Sequence, residues 1–232
     1  VKNNTIPIPQ GDDLCRCQLT LIFYGSALIF IKADSLFRGS IVMTLSIQDL
    51  LVLKELPSEE QISLDIMAIF FKEHLCNRLF HYKIRDKRRD IRLHLRTFDL
   101  PHLLGIHKML SGSSYRGSKG FPALASGELT LEMLKKANIG AYDSTIQRIL
   151  HFPFLYQLMY KPQFIIFNPK VARSMIEAEF MLYNAFSGRY LHLGIKKEKS
   201  TDLYVPVTFL ERKNVYPGMK MVVVDELEIS PE

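Results

Sequence analysis

Apolar and polar positions along the chain follow two rhythms that change from segment to segment. Near the start, Leu19–Tyr24 and Ala27–Lys32 are short apolar runs on either side of Gly25-Ser26, the pattern of a hairpin. From Ile41 to Ile47 apolar residues alternate with Val42, Thr44 and Ser46, which predicts another strand. After Pro57 the run Ser58-Glu59-Glu60-Gln61 has the form of a capping box. Ile62, Ile66, Ile69, Phe70, Cys76 and Leu79 follow near helical spacing, predicting a buried helix of about 20 residues.

Two further strands are expected at His81–Arg85 and Ile91–Arg96, around the charged run Asp86-Lys87-Arg88-Arg89-Asp90. In the second, Ile91, Leu93 and Leu95 point one way and Arg92, His94 and Arg96 the other. That basic stripe reads as a solvated outer face or as an edge that tracks phosphates. Leu100–Met109 predicts a short helix with Asp99 near its N-cap and Pro101 in its first turn. Ser111–Gly127, rich in Gly and Ser, reads as a long loop. Helices are expected at Leu129–Ala137, Tyr142–Leu150 and, after Pro153, Phe154–Tyr160.

The last third alternates at period two. Phe164–Phe167 is a buried-strand pattern, and Glu179–Tyr183 and Tyr190–Ile195 flank a hairpin signal at Asn184–Gly188. Leu203–Leu210 and Met219–Val224 add strands. Helices followed by an antiparallel meander predict an α+β fold, an antiparallel sheet packed against helices. Residues 1–57 would be an N-terminal strand and helix extension, with an extended lead over 1–13, and residues 58–232 the main domain.

Composition narrows the function classes. The chain has 232 residues, 47% of them hydrophobic, and 30 Lys+Arg against 24 Asp+Glu give a net charge of +6. Such a surplus favours polyanionic partners such as nucleic acid, or marks a solvated basic face. Cys15, Cys17 and Cys76 do not make a disulfide framework, so a reducing, cytoplasmic setting is expected. The apolar stretch Leu19–Ile31 is too short to span a bilayer, which takes about 20 residues. No membrane partner, cofactor or metal is expected. His102 and His107 are five apart, which does not place both on one helix face for zinc, and no Gly-x-Ser-x-Gly or complete phosphate loop occurs.

The candidate chemistry is spread along the chain. His102 follows Pro101 at the junction between the basic strand and the short helix, where an anion or a proton-transfer group can be presented. Arg148 sits beside the apolar stripe of its helix, snorkelling or aimed at a phosphate. Strand parity places Tyr190, His192 and Lys196 on one face, and Tyr204 and Thr208 on one face of the next strand. If those faces coincide, the five form a shallow polar surface; the plainer reading is the solvated side of a one-sided sheet. Tyr115, Arg116 and Lys119 in the glycine-rich loop are candidates for holding a substrate.

The segment from about His81 to Leu210 resembles the phage-associated Barnase–EndoU–Colicin–RelE-like nuclease domains, subgroup four. The resemblance is carried by a short hairpin, then Phe98, three intervening residues and His102-Leu103-Leu104-Gly105-Ile106, then Ile146-Gln147-Arg148-Ile149. The strands Tyr190-Leu191-His192-Leu193-Gly194 and Val205-Pro206-Val207-Thr208-Phe209 complete it. It implies a small RNase-like α+β fold and a toxin or phage-borne effector that cuts RNA without a metal, held silent by an antitoxin or immunity protein. It puts His102, Arg148 and Thr208 at motif positions. With His192 added from parity, two imidazoles would exchange protons at a 2′-hydroxyl and a leaving oxygen. Arg148 and Lys196 would neutralise the phosphorane, Thr208 or Tyr204 would position an oxygen, and bases would stack on Tyr115 or Tyr190. A non-catalytic nucleic-acid-binding accessory protein is the competing expectation.

Overall fold

The computed structural model describes residues 43–86, 89–112, 115 and 117–231, and the backbone of two strands at 19–24 and 27–32. The expected lead over 1–13, Cys15, Cys17, Lys87, Arg88 and Arg116 lie outside the described residues. The chain divides into two units, Val1–Ile41 and Val42–Glu232. In the first, β1 (Leu19–Tyr24) and β2 (Ala27–Lys32) pair antiparallel, with Leu19 opposite Lys32 and Tyr24 opposite Ala27.

The second unit opens with a helix where alternation predicts a strand. Ser46 Oγ accepts from the Asp49 amide, and the Asp49 carboxylate accepts from the Ser46 amide, starting α1 (Ile47–Leu51). A reciprocal cap satisfies two donors that a lone strand leaves open, and it outweighs the short alternation. The predicted long helix is broken. Ser58 starts a single turn at Glu59–Gln61, and α2 (Leu64–Phe71) then widens into a π-helical turn at Lys72–Cys76. Leu64, Met67, Phe70, Phe71 and Leu75 are buried along it.

Among the described residues of this unit, eight strands form one sheet in the order β10-β3-β4-β8-β7-β6-β5-β9. They are β3 (Arg78–Ile84), β4 (Arg89–His94), β5 (Gln163–Ile166), β6 (Phe180–Phe186), β7 (Arg189–Lys197), β8 (Leu203–Arg212), β9 (Lys220–Val222) and β10 (Val224–Pro231). Every pairing is antiparallel except β4 with β8, which run parallel for two residue pairs, Arg92 with Leu203 and Leu93 with Tyr204. The edge strand β10 was not anticipated; it pairs with β3 through residues such as Leu227 opposite Tyr82.

Between β4 and β5 come α3 (Leu100–Leu103), α4 (Ile106–Met109), α5 (Gly120–Ala125), α6 (Leu131–Ala137), α7 (Ile139–His151) and α8 (Leu155–Tyr160). The short α9 (Pro169–Ala172) precedes β6. The expected helix over 100–109 is two helices, because Gly105 adopts φ +79 and turns the chain between them. The expected loop over 111–127 contains α5. Leu103, Ile149, Phe152 and Leu155 join Phe80, Leu191, Leu193 and Phe209 of the sheet in the main core. The molecule is thus α+β.

The other face of the sheet is not simply solvated. Ile165, Phe167, Ala178, Met181, Tyr183 and Tyr216 form a second, smaller core there. Strand parity also fails at one point. Opposite β7, Gly194 faces Thr208 but Ile195 faces Pro206, so Val207 is an extra residue. This bulge inverts the alternation, and Tyr204 turns into the main core, edge-on to Phe180.

Candidate active site

The short parallel joint explains where the site opens. Beyond Tyr204 the pairing of β8 with β4 ends, and α3 packs against β8 instead. Pro101 in the first turn of α3 presets its backbone for the helix. His102 is exposed and its Nε2 lies 3.0 Å from the carbonyl oxygen of the bulged Val207. A carbonyl only accepts, so Nε2 carries a hydrogen, and Nδ1 is the ring atom left to exchange a proton.

His102 stands at the boundary of two hollows. One, about 400 Å³, is lined by His102, Met175, Ile176, Glu177, Lys196, Pro206, Val207 and Thr208. The other, about 250 Å³, is lined by Pro101, His102, His107, Tyr115 and Gly117. The larger therefore gathers an imidazole, a carboxylate, an ammonium and a hydroxyl. Lys196 Nζ lies 3.5 Å from Glu177 Oε2, an ion pair exposed enough to be weak. Thr208 is held by a close approach: a Cβ on Gly194 would lie 2.8 Å from its Cγ2, so the methyl is turned onto the glycine.

Arg148 approaches from the helix side. It is half-buried on α7, and its Nη1 would lie 3.4 Å from a Cβ on Gly105. Burial pushes its pKa below the usual arginine range, and the Glu211 carboxylate partly offsets this. Lys108 on α4 is pushed down by burial and then by the Arg148 charge, which marks the two cations as neighbours. Arg148 lines neither hollow but lies directly behind the turn that carries His102.

The structure does not bring His192 to this place. It shares its side of the sheet with Thr208 and Lys196, as parity implies, but it is 0% exposed. Its ring stacks on Tyr183 at 5.8 Å, meets Tyr216 edge-on at 5.3 Å, and its Nδ1 lies 3.2 Å from the Tyr190 carbonyl. Burial, with a lesser effect from Arg212, pushes its pKa down to about 4. A polymer cannot reach it. The shared polar surface expected of Tyr190, His192, Lys196, Tyr204 and Thr208 is therefore corrected: the second core covers His192 and Tyr190, and the bulge inverts Tyr204. Tyr115 is half-buried in the wall of the smaller hollow, and Lys119 is exposed on the turn Gly117–Lys119.

Three residues beside the site were missed by sequence reasoning. Glu177 lies in an irregular segment with no periodic signal. Lys108 falls in no motif or spacing that the sequence singles out. His107, which the sequence offers only as a histidine wrongly spaced from His102 for zinc, stacks its ring on His102 at 4.8 Å and 13° because Gly105 folds α4 back beside α3. Among the described residues no group of three or more His, Cys, Asp or Glu is arranged to hold a metal, and no helix is long and apolar enough to cross a membrane.

Fold and site together define an α+β protein with an exposed, backbone-anchored histidine among cationic side chains. Residues 65–223 match the family described as phage-Barnase-EndoU-ColicinE5/D-RelE like nuclease4, and the chain belongs to that nuclease-like family. The match spans α2 to β9 and includes every residue lining the two hollows. Searches of curated proteins and of solved structures found no match.

Proposed function

We propose that the chain is an endoribonuclease that cuts RNA with its own side chains, by attack of a 2′-hydroxyl on the adjacent phosphate. The observation that carries the reading is His102, exposed and anchored by Val207, in one hollow with Glu177, Lys196 and Thr208. Glu177 takes the 2′-hydroxyl proton, and the freed oxygen attacks phosphorus. His102, charged, gives its Nδ1 proton to the leaving 5′ oxygen. The products are a 2′,3′-cyclic phosphate and a 5′-hydroxyl. Lys196, with Arg148 and Lys108 behind the histidine turn, offsets the charge that builds on the phosphorane. Thr208 positions a non-bridging oxygen. Glu177 takes the second proton-transfer role because the buried His192 has no path to substrate.

On this reading the fold is RNase-like and the chain is a phage-borne effector of toxin type, acting in the cytoplasm under an inhibitory protein partner; the family description supports its nuclease character. The test uses end-labelled RNA in EDTA. Wild-type protein yields cyclic-phosphate ends, and His102→Ala lowers kcat/KM by about 10²–10⁴-fold. Intact RNA with a salt-sensitive gel shift would replace this reading with a non-catalytic nucleic-acid-binding module.

A further inference from the structure

The smaller hollow is not needed for the proton transfers, yet it shares His102 with the larger one. Among the described residues that line it, Pro101, His102, His107 and Tyr115 carry rings, and Gly117 joins them. The His102 and His107 rings lie 4.8 Å apart and 13° from parallel, so they stack and hold each other in place beside the hollow. Gly117 has φ +55, and among the described residues beyond its chain neighbours nothing lies within 4 Å of where its Cβ would be. The backbone there is open to close approach by a ligand's edge.

The walls are also tied together. A Cβ on Gly120 would lie 2.5 Å from the Tyr115 carbonyl oxygen and 2.7 Å from Pro101 Cγ. Only glycine lets the 115–120 turn sit this close to α3, and that contact fixes Tyr115 opposite the histidines. A cavity of about 250 Å³, walled by rings with one strip of open backbone, suits a flat heteroaromatic ring that stacks and hydrogen-bonds through its edge.

We infer that the hollow of Pro101, His102, His107, Tyr115 and Gly117 is a subsite for one unpaired nucleobase next to the cleaved phosphate. The inference rests on the nuclease reading for its biological meaning, but not for its test. The base stacks on Tyr115, its edge meets the Gly117 backbone, and its ribose leads past His102 into the larger hollow. Recognition then requires single-stranded RNA, because a paired base cannot enter.

The experiment titrates the full chain with adenosine 3′-monophosphate, cytidine 3′-monophosphate and ribose 5-phosphate, followed by calorimetry and by the His102 and His107 ring resonances. At least one nucleotide is expected to bind about tenfold or more tighter than ribose 5-phosphate, the range of one stacked base. Tyr115→Ala removes that advantage and Tyr115→Phe keeps it, both variants melting as the wild type does. Equal affinity for ribose 5-phosphate and both nucleotides, or an unchanged advantage in a folded Tyr115→Ala, overturns the subsite. Cleavage is scored separately. Base-dependent binding without RNA cleavage upholds the subsite and sinks the nuclease reading. Cleavage without base-dependent binding does the reverse.

Discussion

Two histidines, one on α3 and one on β7, show how placement decides chemistry. His102 is exposed with one nitrogen committed to a carbonyl, whereas His192 is sealed between Tyr183 and Tyr216. The folded protein holds His192 neutral, with a pKa near 4 against an ordinary 6.5. The unfolded chain therefore binds its proton more readily. The stability this group contributes is full above pH 6.5, falls as the pH drops toward 4, and is lost below that. A shift of this size corresponds to about 3 kcal/mol. Urea unfolding between pH 7.5 and 4 should show that loss, and His192→Phe should flatten it. An unchanged pH dependence in the variant would place the acid sensitivity elsewhere. Sequence parity found the side of the sheet on which His192 lies. It carried no sign that residues from 167 to 216 would cover that side.

At the scale of elements, the site depends on one turn and one bulge. Gly105 joins α3 to α4 with φ +79, and a Cβ there would meet Thr145 Cγ2 at 2.9 Å and Arg148 Nη1 at 3.4 Å. Gly105→Ala should cost about 1–3 kcal/mol from the unfavourable φ and the clash. It should also lower RNA cleavage beyond what the stability loss explains, since both His107 and Arg148 move. Thermal melting and kcat/KM measured below the melting range separate the two effects. The Val207 bulge supplies the carbonyl that anchors His102 and reverses the alternation for Tyr204. Local patterning does not reveal such a bulge, because Val205-Pro206-Val207-Thr208 reads as an uninterrupted strand. Pro206 fits there because β8 has lost its β4 neighbour, so a missing amide breaks no ladder with that strand.

For the molecule as a whole, the net charge of +6 gives a testable electrostatic expectation. Affinity for single-stranded RNA should fall as salt rises, with a log–log slope of about −0.7 for each phosphate neutralised. Lys196→Ala should make that slope shallower by about one contact and weaken binding alike across sequences, as a phosphate contact does. Tyr115→Ala should leave the slope unchanged. Filter binding between low and physiological salt distinguishes them, and a slope that ignores Lys196 would remove it from the phosphate path.

The sequence by itself determined the helices α6, α7 and α8, the β1–β2 and β6–β7 hairpins, the α+β class and the family. Each follows from residues close together in the chain, where period, turn chemistry and motif spacing act locally. Tertiary structure alone decided the parallel joint of β4 with β8, the edge strand β10 and the covering of His192. It also brought His102 beside His107, Glu177, Lys196 and Thr208. Those are contacts between segments up to about 150 residues apart, fixed by burial and sheet register, to which no short pattern is sensitive.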